Sequence, residues 1–168
     1  MIKLFEPHVG IEEIKSVENV LRSKLWASGT GTGKVLEFEN KFRKYINSKN
    51  CIAVNSGTAA LNLALTICDI KNKEVILPSL TFVATANAII MNGGKPVFVD
   101  IDPNTLNMDP EKIENYISKK TKAILPVHFG GLSCDLSKID SLAKKHNLKI
   151  IEDAAHAAGA SYKNKKIG

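Results

Sequence analysis

Five short apolar runs, separated by segments with helical patterns, constrain the fold of this chain more than any other sequence feature. The runs lie at 51–55, 74–77, 96–99, 122–127 and 149–152. The helical segments between them lie at about 57–69, 81–92, 110–118 and 135–147. Strands this apolar must be covered on both faces, and helices between them supply the cover. The sequence therefore predicts an α/β fold of three layers, α/β/α, around a mostly parallel sheet.

The predicted helices begin and end at residues with suitable capping chemistry. Asp109 followed by Pro110 is typical of an N-cap and the first helical position. The sequences Asn92-Gly93-Gly94 and His146-Asn147 are typical of helix C-termini. These signals support helices between the strands rather than loops.

The part of the chain before the first apolar run has a different pattern. Two amphipathic helices are predicted, from 10 to about 23 and from 35 to about 47, joined by a flexible stretch at 26–33. This stretch contains alternating glycines but follows no strand, which argues against a dinucleotide-binding loop. We therefore expect an N-terminal helical segment at 1–50 and the sheet-containing domain at 51–168.

Charge and cysteine content exclude several function classes. The net charge is +6, but the lysines are scattered over helix faces, so we expect no binding to nucleic acid. The three cysteines lack metal-ligand spacing, and Cys51 and Cys68 lie in apolar runs. We expect reduced thiols, no metal site and a cytoplasmic protein. No signal peptide or long uncharged apolar run is present, so we expect no membrane segment.

The junction between the first apolar run and the next helix offers a place for an anion. The backbone N–H groups of Gly57, Thr58 and Ala59 would be free at the helix N-terminus, where the helix dipole favours negative charge. Thr58 can add a hydroxyl donor, and Gly57 allows close approach by a phosphate. The alternative is an ordinary Ser/Thr N-cap without a ligand.

Two further junctions carry candidate site residues. Phe82 could present a flat apolar face to a ring, although an aromatic residue at such a position belongs by default to the core. Asp153, directly after the last run, could hold a proton on a heteroaromatic nitrogen, and His156 could bond an adjacent oxygen. The alternatives are an acid that caps the next turn and a structural histidine. His128 closes the fourth run, and we assign it no role.

These three junctions are expected at the same edge of the sheet. The carboxyl ends of parallel strands meet there, where open α/β sheets bind their ligands. A phosphate nest, an aromatic face and an acid together predict a binding site more strongly than any one of them does alone.

The residues at these junctions resemble the DegT/DnrJ/EryC1/StrS family of sugar aminotransferases. The stretches that carry the resemblance are Ser56–Leu61, Pro78–Phe82, Val97–Asp100, Pro126–His128 and Glu152–His156, in the family's order and at its spacing. The resemblance extends from about Phe5 to Gly168. It implies part of the large domain of a type I aminotransferase that uses pyridoxal 5′-phosphate.

The resemblance also implies a role for each candidate residue. Gly57, Thr58 and Ala59 would hold the cofactor phosphate, and Phe82 would stack on the pyridine ring. Asp153 would pair with the ring nitrogen. His156 would reach the phenolic oxygen, where many relatives have glutamine. The implied substrates are a nucleotide sugar, closest to a UDP-linked 4-keto pentose, and an amino donor such as glutamate. The implied assembly is a homodimer.

One expected residue of the family is missing from the chain. The catalytic lysine, which forms a Schiff base with the cofactor, follows the acid-containing strand in a segment that we do not find before Gly168. Lys163, Lys165 and Lys166 lie in a predicted hairpin too close in sequence to Asp153 to replace it. We therefore expect the chain to be a fragment that is inactive alone.

Two alternatives remain open from the sequence. Relatives in the same family include sugar dehydratases that keep the cofactor site but carry histidine in place of the lysine. The chain could also be a non-catalytic remnant, in which unpaired strand edges and apolar faces would favour self-association.

Overall fold

The computed structural model describes residues 6–26 and 32–168. The chain divides into two compact units, Met1–Ala53 and Val54–Gly168. The first unit contains the helices α1 (Ile11–Ser23) and α2 (Gly33–Ile46), which confirms both predicted amphipathic helices. Most of the predicted flexible stretch, residues 27–31, lies outside the described residues.

The second unit alternates helices and strands. Its elements in chain order are α3 (Gly57–Ile67), β1 (Glu74–Pro78), α4 (Val83–Met91), β2 (Lys95–Val99), α5 (Pro110–Ile113), a 3-10 helix (Glu114–Tyr116), β3 (Thr121–Ile124), a second 3-10 helix (Phe129–Gly131), α6 (Leu136–His146), β4 (Lys149–Ile150), β5 (Ser161–Tyr162) and β6 (Lys165–Lys166). Strands β1 to β4 form a parallel sheet in the order β2-β1-β3-β4. Strands β5 and β6 form the predicted hairpin.

Strand β1 is buried on both faces of this sheet. Val75 and Leu77 point into one apolar cluster, which also contains Leu65 of α3 and Ile89 of α4. Ile76, between them, points into the opposite cluster. Residues of that cluster outside β1 include Ile113 of α5 and Ile139 of α6. Because side chains alternate along a strand, helices must cover both faces, and the predicted three-layer α/β/α fold is confirmed.

Capping explains several helix boundaries. The Asp109 side chain accepts a hydrogen bond from the Glu111 N–H at 3.0 Å, and Pro110 follows as predicted. Asn147 ends α6 in the left-handed conformation with φ of 53°. The helix predicted at 110–118 is shorter than expected, because the chain tightens into a 3-10 turn before β3 begins. No helix in the described ranges is both long enough and apolar enough to cross a membrane.

The strand predicted at 51–55 is wrong. These residues have no β-ladder partner among the described residues, and Ile52 is 77% exposed. The backbone N–H of Ala53 donates instead to the Glu39 carboxylate at 2.8 Å. An apolar run can indicate burial, but a strand also needs the backbone of a neighbouring strand.

The burial pattern of α3 gives a test of the core. Leu65 is fully buried, whereas Leu63 on the same helix is 49% exposed. We expect Leu65→Ala to lower the free energy of unfolding by about 2–5 kcal/mol, because it leaves a cavity between α3 and the sheet. Leu63→Ala is the matched control, and we expect a loss below about 1 kcal/mol. Urea unfolding followed by circular dichroism measures both. Equal losses would contradict the packing of α3 described above.

Candidate functional site

The strand order creates a switch point at the carboxyl edge of the sheet, between β1 and β3, where the connections run to opposite sides. From β1 the chain passes through α4 to β2 on one side, and it then returns to β3 on the other side of β1. Open α/β sheets bind ligands at the carboxyl ends of the strands next to such a point. The segments that follow β1 and β3 therefore line the expected ligand site.

Asp153 lies at this edge. Its backbone N–H donates to the Pro126 carbonyl at 2.9 Å, and its carbonyl accepts from the His128 N–H at 3.1 Å. These bonds form an isolated parallel bridge with Val127, just past the end of β3. Because Pro126 has no N–H, the regular ladder ends at Ile124, and this bridge extends the pairing to the acid.

The Asp153 carboxylate has neutral donors only. Oδ2 accepts a hydrogen bond from the Thr85 hydroxyl at 2.9 Å, and Oδ1 accepts from the Ala155 N–H at 3.3 Å. The residue is partly buried, and it forms no ion pair with any residue in the described ranges. A partly desolvated carboxylate favours a cationic donor nearby. The site can therefore accept a protonated nitrogen from a ligand.

Thr85 is a site residue that the sequence pattern does not single out. It is 1% exposed and lies in the first turn of α4. Its hydroxyl also accepts a hydrogen bond from the Thr81 hydroxyl at 2.8 Å. The available signal was a pair of threonines four residues apart, Thr81 just before a mostly apolar helix and Thr85 in its first turn.

Phe82 lies beside this network with its ring in solvent. It is the N-cap of α4 and is 74% exposed, so the interpretation as a core residue is wrong. Because Thr85 connects the first turn of α4 to Asp153, Phe82 lies at the same edge of the sheet. Its ring is available to cover a planar ligand.

The N-terminus of α3 offers two of the three predicted amide groups. The Ser56 hydroxyl accepts the Ala59 N–H at 3.2 Å, so the alternative of an N-cap holds for Ser56. The N–H groups of Gly57 and Thr58 have no acceptor within the helix. A Cβ at Gly57 would meet no atom within 4 Å, so the space in front of it is open. An anion could approach these two amides directly.

Helix α3 points its N-terminus toward the same end of the unit as α4. Asn92, at the C-terminus of α4, bonds Thr66 near the C-terminus of α3 at 2.7 Å and Asn62 in the middle of α3 at 3.0 Å. The helices also share one apolar cluster, so they run side by side in the same sense. Since α4 joins two parallel strands, its N-terminus lies at their carboxyl edge. In the part of the chain that the structure describes, no hydrogen bond joins Gly57 or Thr58 to Asp153.

His156 is exposed and lies beside the turn after β3. Its Nδ1 accepts the Gly130 N–H at 3.3 Å, and its ring meets Phe129 edge-on with 5.9 Å between centroids. Gly131 has φ of 86°, and a Cβ there would lie 2.9 Å from the His156 carbonyl oxygen, so glycine is required. In the neutral ring the proton is then on Nε2, which can donate to a ligand oxygen.

His128 has the opposite environment and is structural. It is fully buried, its Nδ1 accepts the Cys134 N–H at 3.1 Å, and its Nε2 contacts the Glu152 carboxylate at 2.9 Å. Because Nδ1 accepts, Nε2 must carry the proton that bonds Glu152. Both ring nitrogens are engaged. Within residues 6–26 and 32–168, no group of three or more His, Cys, Asp or Glu side chains is arranged to hold a metal ion.

Cys134, next to His128, gives a prediction about reactivity. Burial, followed by the nearby Glu152 charge, raises the pKa of this thiol to about 12. The thiol also donates to the Val127 carbonyl at 3.2 Å. At about pH 8 almost no Cys134 thiolate exists, so we expect iodoacetamide to modify the partly exposed Cys51 and Cys68 first. Mass spectrometry of peptides measures the order. Modification of Cys134 before unfolding would contradict its burial.

Comparison with known proteins identifies the family of this chain. A model of the DegT/DnrJ/EryC1/StrS aminotransferase family matches residues 7–168. The spore coat polysaccharide biosynthesis protein SpsC of Bacillus subtilis is 48% identical over 163 residues, covering 96% of this chain and 41% of SpsC. The GDP-perosamine synthase of Caulobacter vibrioides is 49% identical over 144 residues, covering 85% of this chain and 38% of that enzyme.

A solved structure gives the same result for the fold. The aminotransferase from Psychrobacter cryohalolentis matches with a TM-score of 0.90 and 40% identity, over 96% of this chain and 41% of that one. The chain thus spans about two fifths of the length of the proteins that it matches. Since the family model covers nearly every residue, from 7 to 168, the chain belongs to the DegT/DnrJ/EryC1/StrS aminotransferase family.

Proposed function

We propose that this chain forms the first part of a pyridoxal 5′-phosphate-dependent aminotransferase that transfers an amino group from glutamate to a nucleotide-linked keto sugar. The observation that carries the proposal is the Asp153 carboxylate, which lies at the carboxyl edge of the sheet without an ion pair among the described residues. The names of relatives support the substrate class. They include GDP-perosamine synthase and a dTDP-3-amino-3,6-dideoxy-α-D-galactopyranose transaminase.

The residues at this edge fit the cofactor. The N–H groups of Gly57 and Thr58 would bind its phosphate at the positive end of α3, with Ala59 able to join if Ser56 releases it. Phe82 would cover one face of the ring. Asp153 would accept the ring N–H, and His156 would donate from Nε2 to the phenolic oxygen. When bound, the protonated ring supplies an electron sink for bond breaking at the carbon next to the amino group.

The protein's own contribution is binding and electrostatic control. Asp153 would keep the ring nitrogen protonated, because loss of that proton would leave a partly buried carboxylate without a cationic partner. Phe82 would exclude water from the ring face that it covers. These roles also assign the sheet-containing part, residues 51–168, to the large cofactor-binding domain, with residues 1–50 as a helical segment before it.

Two of the three lysines after Asp153 have other partners. Lys163 Nζ donates to the Ser137 hydroxyl at 2.6 Å, and Lys166 Nζ donates to the Gly159 carbonyl at 3.2 Å. The hairpin that carries them is tied to α6, because the Tyr162 hydroxyl bonds Asp135 at 2.9 Å. We therefore propose that these lysines do not anchor the cofactor, and that the chain binds it without completing turnover.

The same proposal extends to partners and location. The intact enzyme would act as a homodimer in the cytoplasm on a nucleotide sugar and an amino donor, and it would bind neither nucleic acid nor a membrane. A UDP-linked 4-keto pentose is the substrate that we would test first. Equilibrium sedimentation of the intact enzyme would measure the dimer.

Cofactor binding can be tested through Asp153. We expect Asp153→Asn to weaken binding of pyridoxamine 5′-phosphate by about tenfold or more, because a charge-assisted hydrogen bond to the ring nitrogen is lost. This ligand has no aldehyde and therefore forms no imines with the chain's lysines. Isothermal titration calorimetry measures the affinity. Asp140→Asn is the control, since Asp140 pairs with Lys144 on the exposed side of α6. Equal affinities for all three chains would contradict the proposed role of Asp153.

The proposed absence of turnover has a separate test. The chain is incubated with pyridoxal 5′-phosphate, glutamate and a UDP-linked 4-keto pentose. We expect neither an aminated nor a dehydrated sugar by mass spectrometry, because Lys163 and Lys166 of the hairpin are held at Ser137 and Gly159. Borohydride reduction of a parallel sample is expected to leave no cofactor adduct at one specific lysine. A single modified lysine together with an aminated product would overturn this part of the proposal.

A further inference from the structure

Two threonines form a chain of hydroxyl groups that ends on Asp153. Thr81 donates to Thr85 at 2.8 Å, and Thr85 donates to Asp153 Oδ2 at 2.9 Å. Thr85 is 1% exposed and Thr81 is partly buried, so solvent cannot readily replace either hydroxyl. Among the described residues, the Thr85 hydroxyl makes the only hydrogen bond between α4 and Asp153.

The Asp153 carboxylate determines the donor and acceptor in each of the two hydroxyl hydrogen bonds. A carboxylate can only accept, so the single Thr85 proton must point at Asp153. Thr85 can then only accept from Thr81, as the structure shows. Two hydroxyl dipoles are thereby aligned toward the negative charge, and such aligned bonds strengthen one another in a partly buried environment.

Thr85 makes this bond instead of the usual local one. A threonine inside a helix commonly bonds the carbonyl four residues earlier, as Thr66 bonds the Asn62 carbonyl at 2.8 Å. Thr85 instead spans 68 residues of sequence to reach Asp153. Its hydroxyl proton therefore orients the Asp153 carboxylate and does not bond a carbonyl of α4.

We propose that Thr85, supported by Thr81, is a positioning residue that holds the Asp153 carboxylate toward the protonated ring nitrogen of the cofactor. This inference rests on the proposed function, since it needs a ligand with such a nitrogen. Thr85 touches no part of that ligand and acts only through Asp153. Its effect on binding therefore depends on whether the ligand offers the N–H group.

That dependence gives a test with two ligands. Calorimetry measures the binding of pyridoxamine 5′-phosphate and of its 1-deaza analogue, in which a carbon replaces the ring nitrogen. We expect Thr85→Val, which keeps the side-chain shape, to weaken binding of the first ligand by about tenfold. The 1-deaza analogue should lose less than about twofold, because it makes no hydrogen bond with Asp153. Thr85→Ser should restore binding of the first ligand to within about threefold.

Matched controls separate positioning from folding. Thr66→Val removes a threonine hydroxyl on α3 that bonds Asn62 and Asn92, away from Asp153, and should change neither affinity. Thr81→Val leaves Thr85 in place but removes the donor to it. We expect a loss of about threefold for the first ligand only. If circular dichroism shows that Thr85→Val does not fold, Thr81→Val tests whether the threonine hydroxyls position Asp153.

The outcomes distinguish the two proposals. Equal losses for both ligands, or no loss for either, would overturn the positioning role of Thr85 and leave the proposed function standing. Failure of the unsubstituted chain to bind pyridoxamine 5′-phosphate would overturn the proposed function, and the role of Thr85 with it. A loss confined to the ligand with the ring nitrogen, with recovery in Thr85→Ser, supports both.

Discussion

The burial of β1 on both faces is the constraint on which the second unit depends. Val75, Ile76 and Leu77 are each 0% exposed, and each such side chain contributes about 1.5–3 kcal/mol on burial. Exposed ion pairs such as Arg22–Glu18 contribute at most about 1 kcal/mol. The apolar strand therefore determines the layers, with α3 and α4 on one face and α5 and α6 on the other.

Parallel pairing then determines where chemistry can occur. All paired neighbours in the four-stranded sheet are parallel, so the strands end at one edge, and the helices that join them begin there. Asp153 reaches this edge through its bridge to Val127, and Phe82 reaches it as the N-cap of α4. The edge thus combines free helix amides, an aromatic face and an acid that no single element could supply.

The polar groups at this edge fall into engaged and available sets. No buried side-chain nitrogen or oxygen in the described part of the chain lacks a hydrogen-bond partner. His128 has both ring nitrogens engaged and stabilises the turn beside Asp153. His156 keeps one N–H available, and Asp153 keeps its charge unpaired among the described residues. A ligand that brings a cationic N–H and acceptor oxygens would complete these groups.

Much of this unit could be predicted from its sequence, because local patterns reflect local physics. The apolar runs indicated β1 to β4, Asp109 and Pro110 marked the start of α5, and the acid after the last run marked the edge of the sheet. The run at 51–55 was misleading, because a strand depends on a neighbour's backbone that hydrophobicity does not reveal. Tertiary structure alone decided that Thr85, 68 residues from Asp153, bonds it, and that His128 is buried while His156 is exposed. Contacts between distant residues depend on how whole elements pack, and a pattern within a few residues does not carry that information.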